Sequence, residues 1–135
     1  MSKFFYSALA AGITLLIFSF LALFFTINFL PEYSNYFYTD VFWPSGMRAI
    51  MFYMHPFVLS FALAWFWNRF KSGLSGTAIN RGIELGMIFL FLAILPLMWM
   101  TFSSLDLEAP QIISWSIYGF VQAVIAGYVL ARVNP

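Results

Sequence analysis

The chain has 135 residues, of which 63% are hydrophobic and only 8% are charged, with a formal net charge of +1. A soluble globule of this size cannot enclose so large an apolar fraction, so the composition predicts an all-α integral membrane protein of one domain. The small net charge argues against nucleic-acid binding, and the absence of cysteine excludes disulfides, thiolate catalysis and iron–sulfur clusters.

Four apolar segments are long enough to cross a bilayer as a four-transmembrane-helix bundle. The first has 27 residues without a charge, about 40 Å of helix against a hydrocarbon core of ~30 Å. The aromatic segment that follows predicts an interfacial belt, with an aromatic binding surface as the less common alternative. The predicted helices cover 4–30, 47–68, 82–102 and 111–131, with outer loops at 31–46 and 103–110 and a cytoplasmic loop at 69–81.

Lysine and arginine are distributed unevenly between the two sides of these helices. Arg48 alone lies on the side of the two outer loops. The positive-inside rule therefore predicts cytoplasmic N- and C-termini, and the short loops favour a bacterial or archaeal cytoplasmic (inner) membrane. The residues on the other side are Lys3, Arg69, Lys71, Arg81 and Arg132.

The second half of the sequence resembles the first. Residues 56–69 align without gaps with residues 119–132, and residues 12–23 align with residues 82–94 with a difference of one residue. This pattern predicts a parallel 2+2 helical-hairpin repeat about an axis along the membrane normal. Because apolar sequences align readily by chance, a fortuitous similarity is the open alternative.

Small residues recur at the spacing that brings two membrane helices close together. They form a GxxxG pair at the start of the third helix and a ladder with a four-residue period along the fourth. They predict a helix-packing interface, either inside the bundle or with another copy or membrane protein. The residues are Gly82, Gly86, Gly119, Ala123, Gly127 and Ala131.

Arg48 and His55 are candidates for a polar site within the second helix. Their separation of seven residues corresponds to about 700° of rotation, so they share one helix face, ~10 Å apart along the axis. Ionisable groups inside a membrane often mark substrate or proton paths, so this face predicts a polar cavity or transport site. The other candidates for this site are Gln122, Asn28 and Glu84.

Purely structural roles are the alternative for each of these residues. Arg48 can extend to the outer interface near acidic loop residues, and His55 can hydrogen-bond a neighbouring helix through Gln122 or a tyrosine. Glu84 lies three residues after Arg81, at the spacing of an ordinary helical ion pair.

Two classes of function remain. A non-catalytic structural or accessory subunit, or a self-associating bundle, is favoured because small-residue ridges are abundant and interior polar groups are few. The alternative is a small transporter or channel with its site around His55 and Arg48. Catalysis is less favoured, since one histidine cannot supply paired haem ligands and no nucleophile with a base can be assembled, so no cofactor or metal is expected. The expected partners are the lipid bilayer and a second copy or a larger membrane complex, not nucleic acid.

Overall fold

The computed structural model describes residues 2–32 and 45–135, and these residues form helices and no strands. Each of the four long helices has the length and apolar composition needed to cross a membrane. The prediction of an all-α chain with four such helices is therefore confirmed. The predicted aromatic belt lies mostly outside the described residues. The helices are α1 (Ser2–Phe29), α2 (Met47–Phe70), α3 (Ala78–Ser104) and α4 (Ala109–Val133).

Two helices begin earlier than the apolar pattern predicts, because polar residues support their first turns. In α3 the Thr77 side chain accepts a hydrogen bond from the Asn80 backbone N–H (3.3 Å), so the helix starts at Ala78. In α4 the Gln111 side chain accepts from the Glu108 backbone N–H (3.2 Å). The loop before α3 is correspondingly shorter and includes a 3₁₀ turn at Lys71–Gly73.

The helices pack in the order α2, α1, α4, α3. Helix α1 contacts α2 and α4, α3 contacts α4, and α2 also approaches α4. Helices α2 and α3 show no comparable packing along their described lengths. The described helices therefore leave one side of the bundle uncovered, between α2 and α3; we call it the open side.

The apolar core lies towards one end of the bundle. It is built from α1 between Ala8 and Leu15, α2 between Leu59 and Trp67, and the facing parts of α3 and α4. We call this end, where Trp67 approaches Asn134, the Trp67 end. At the opposite end, which we call the Asn28 end, the last two turns of α1 and the first two turns of α2 are largely exposed.

Helix α3 is irregular near its middle. A π turn at Leu90–Ile94 separates two α-helical parts and ends just before Pro96, where the sequence predicts a kink. A π turn holds one more residue than an α turn, and proline has no N–H to donate. Pro56, by contrast, is buried within an uninterrupted α2.

Helices α2 and α4 bury corresponding positions when residues 56–69 are laid on residues 119–132. Five buried residues of α2 each fall on a buried residue of α4, so the two helices turn the same aligned face inwards. The pairs are Leu59 with Gln122, Ser60 with Ala123, Leu63 with Ala126, Ala64 with Gly127, and Trp67 with Leu130.

Candidate functional site

The predicted small residues lie where α3 meets α4. A Cβ atom added to Gly127 would lie 2.8 Å from the Gly82 Cα atom, and one added to Gly82 would lie 2.9 Å from the Val124 carbonyl oxygen. The two backbones are therefore in direct contact. Gly86 faces Val124, and Gly119 faces the Ile94 side chain.

The other two predicted packing residues, Ala123 and Ala131, are buried in α4. Removing side-chain bulk in this way lets the backbones approach closely, and such van der Waals packing is one of the forces that drive helix association in lipid. Within the chain, the small-residue face of α4 is thus already covered.

The α1–α4 contact contains a small polar cluster. Tyr118 Oη donates a hydrogen bond to Ser19 Oγ (2.8 Å), and Ser19 Oγ in turn donates to the Leu15 carbonyl (2.8 Å). Gln122, only 2% exposed, places Nε2 3.5 Å from the same Ser19 oxygen. The Tyr118 ring also stacks on Phe18. These groups connect two helices and leave Gln122 in the protein interior.

Arg48, His55 and Asn28 lie elsewhere. All three are exposed on the outside of the described helices. Asn28 Nδ2 donates to the Phe24 carbonyl of its own helix (2.8 Å), and His55 makes no hydrogen bond to any described residue. The expected bond from His55 to Gln122 or a tyrosine is therefore not formed within residues 2–32 and 45–135.

Glu84 and Arg81 do not form the expected ion pair with each other. Glu84 Oε2 accepts from the Ser75 backbone N–H (3.3 Å). The Arg81 guanidinium lies over the Trp67 ring, 4.6 Å from its centre, and Nη2 donates to the Lys71 carbonyl (3.2 Å). The guanidinium instead contacts an aromatic face and a helix C-terminus, and both of these stabilise a positive charge.

Sequence reasoning did not find the cluster at the Trp67 end. Trp67 is fully buried, and its Nε1–H donates to the Asn134 carbonyl oxygen (2.8 Å). Lys71 Nζ donates to Asn134 Oδ1 (2.9 Å) and to the Pro135 carbonyl (2.7 Å). The sequence feature that could have indicated this cluster is the repeat, because the alignment pairs Trp67 with an inward-facing position of α4.

Two exposed arginines each lie over an aromatic ring of their own helix. The Arg69 guanidinium lies 5.6 Å from the centre of the Trp65 ring, and that of Arg132 lies 5.5 Å from the centre of the Tyr128 ring. Each pair is four residues apart, and the alignment of residues 56–69 with 119–132 lays one pair on the other.

An apolar groove of about 550 Å³ separates α3 from α4 towards the Asn28 end. Its polar contribution is the Ser116 hydroxyl, which is already bonded to the Ile112 carbonyl (2.8 Å). Among the described residues no three histidine or acidic side chains are grouped so that they could hold a metal ion. The groove is therefore an apolar depression that contains no reactive group.

Together these features define a class: a four-helix, all-α protein with helices suited to a bilayer, joined by small-residue contacts. No family model matches the sequence, and no curated protein or solved structure matches it.

Proposed function

We propose that the chain is a non-catalytic polytopic membrane protein that serves as a structural or accessory subunit and associates with itself or with other membrane proteins. The observation that carries this proposal is the position of His55, which is exposed on α2 and not grouped with Gln122 in a polar cavity. A transport site needs several polar groups facing one path. The candidates for such a site lie at both ends of the bundle, some on its outside and Gln122 in its interior.

The hydrogen-bonding pattern of the interior also supports this function. Gln122 and Tyr118 both bond Ser19 of α1, so their polarity serves helix association. The bonds from Trp67 and Lys71 to Asn134 serve the same purpose at the Trp67 end. Polar groups so occupied would have to break existing contacts to bind a solute, which makes a transporter or channel the weaker candidate.

We further propose that the Trp67 end is cytoplasmic and that the protein resides in a bacterial or archaeal inner membrane. Lys71 and Arg81 lie at this end, and Lys3, Arg69 and Arg132 belong to helix termini on the same side. Positive residues near span ends are retained on the cytoplasmic side.

A duplication of a helical hairpin fits this architecture. The shared inward face of α2 and α4 and the matching arginine–aromatic pairs support it.

Two measurements test the function. Purification of the tagged chain from its native membrane in a mild detergent should yield a stoichiometric assembly, either with itself or with another membrane protein.

Reconstituted vesicles should show no proton- or anion-coupled flux that depends on His55, so the unmodified protein, His55→Ala and the control Val58→Ala should behave alike. Val58 is a suitable control because it is an exposed residue of the same helix. A flux that the unmodified protein and Val58→Ala carry and His55→Ala loses would overturn the proposal in favour of transport.

A further inference from the structure

The hairpin alignment pairs α1 with α3 and α2 with α4, but the corresponding faces of α2 and α4 are not covered by corresponding helices. On one side α1 covers α4, where Tyr118 bonds Ser19. The alignment that lays residue 56 on residue 119 lays His55 on Tyr118. Yet α3 does not cover α2 in the same way, and His55 is exposed. Helices α2 and α3 meet at the Trp67 end, where Arg81 lies over Trp67, but no packing continues towards the Asn28 end.

From this difference we infer that a second copy of the chain packs its α3 against the His55 face of α2, and receives the first copy's α3 in return. The result is a two-fold dimer, with its axis along the membrane normal, that covers both open sides at once. The inference rests on the proposed function, since it names the partner of a self-associating subunit. Such an interface is self-complementary, as two-fold symmetry requires.

The His55 face of α2 is defined by His55, Ala62 and Phe66, which lie within about 40° of one another around the helix. His55 and Ala62 are exposed, and Phe66 is half-buried. Lipid solvates exposed apolar side chains, but an imidazole needs hydrogen-bond partners that hydrocarbon cannot provide. The polar residue on this face therefore favours a protein partner over an acyl chain.

Helix α3 supplies an acceptor at the required depth. Trp67 and Arg81 are in contact, and His55 lies twelve residues along α2 from Trp67, about 18 Å. Eleven residues along the antiparallel α3 from Arg81 lies Leu92, which is 73% exposed. Leu92 lies within the π turn, and Pro96 has no N–H that could donate to the Leu92 carbonyl four residues earlier. In the dimer the His55 imidazole donates to the Leu92 carbonyl of the second copy.

Cross-linking between separately purified variants tests the pairing, and the natural absence of cysteine makes every introduced thiol unique. Ala62→Cys protein and Ile88→Cys protein are reconstituted together and treated with a short bifunctional maleimide. Ile88 lies seven residues from Arg81, hence on the same face of α3 and near the level of Ala62. A dimer joining one copy of each variant is expected.

The control for this experiment is Ile50→Cys mixed with Ile88→Cys. Ile50 is exposed on the same helix but lies about 140° around it from His55. A product with Ile50→Cys equal to that with Ala62→Cys, or no product with either, would overturn the pairing.

The hydrogen bond has its own test in the dimer dissociation constant, measured by dilution in lipid vesicles. His55→Leu should weaken the dimer roughly 3- to 20-fold, the range found for single bonds between membrane helices, while His55→Gln should retain most of the affinity. Pro96→Ala restores the missing N–H and should weaken the dimer as well, and combining it with His55→Leu should add little. Additive effects of His55→Leu and Pro96→Ala would show that the two residues do not share a bond, which contradicts the inference.

These outcomes separate the inference from the function on which it rests. A different membrane protein in stoichiometric amount, without an Ala62–Ile88 product, would overturn the second copy as partner and leave the accessory function standing. A His55-dependent flux would overturn the function itself.

Discussion

Trp67 links α2 to residues at the ends of α3 and α4. Its indole N–H reaches the Asn134 carbonyl beyond α4, while its ring face carries the Arg81 guanidinium from α3. One residue of α2 therefore holds the ends of two other helices. Its role is distinct from that of Trp65, two residues earlier, which is exposed and contacts Arg69 of its own helix.

Replacing Trp67 by phenylalanine should destabilise the protein by about 1–2 kcal/mol. The substitution keeps an aromatic ring but removes the donor, so the Asn134 carbonyl loses a buried hydrogen bond. Denaturation in mixed micelles with increasing dodecyl sulfate measures the change. Trp65→Phe is the matched control and should have little effect, because its ring is exposed; equal losses from the two variants would contradict the assigned role.

Individual residues were predictable where one physical reason dominates. The small residues of α3 and α4 could be identified because glycine at a four-residue spacing has few purposes in an apolar helix other than close approach. The positions of His55 and Gln122 could not be predicted. A polar residue in an apolar helix indicates a need for partners, but it does not show which neighbour provides them.

Among the helices, α3 and α4 approach most closely, since Gly82 and Gly127 place the two backbones in contact. Helix α1 approaches α2 in a similar way, because a Cβ atom at Gly12 would lie 2.8 Å from Ser60 Oγ. The difference lies in what each glycine faces. Gly82 faces backbone atoms, which cannot turn aside, whereas Gly12 faces side-chain atoms.

Gly82→Ala should therefore force α3 and α4 apart and cost about 1–3 kcal/mol, despite the better helix propensity of alanine. Thermal unfolding in detergent, followed by circular dichroism, provides the measurement. Gly73→Ala is the control, because no atom lies within 4 Å of its added Cβ and its φ is not positive. If Gly82→Ala were as stable as Gly73→Ala, the close contact would not contribute to stability.

Helix existence follows from the sequence, whereas helix rotation does not. Long uncharged runs specify membrane-spanning helices because lipid leaves few other backbone conformations. The same runs are apolar on every face, so hydrophobicity does not distinguish the side that meets lipid from the side that meets protein. For this reason the sequence allowed Arg48 and His55 to line a cavity, while the structure places their helix face outwards.

At the scale of the whole molecule, charge and packing distinguish the same two ends. The Trp67 end combines the buried core with Lys71 and Arg81, and the Asn28 end has longer exposed helix termini. Charge alone predicts an orientation in the membrane, because the positive-inside rule depends on residues near span ends. The location of the core was not predictable, since it depends on which turns of each helix touch.

Single cysteines placed at Ser72 and Ser104 should report the orientation. In intact cells, a membrane-impermeant maleimide should label Ser104→Cys almost completely and Ser72→Cys only after permeabilisation. Both positions are exposed serines at opposite ends of the bundle, so their intrinsic reactivity should be comparable. Reversed labelling would place the Trp67 end outside, and partial labelling of both would indicate two orientations.

The restriction of the core to the Trp67 end has a consequence for local opening. The free energy of opening a helical turn depends on the contacts that it buries, so amides near Leu15, Leu63 and Leu130 should exchange with solvent deuterium far more slowly than those near Phe29 or Met51. Rigidity thus varies with depth. In the proposed membrane setting, one leaflet would therefore contact a stiffer protein surface than the other.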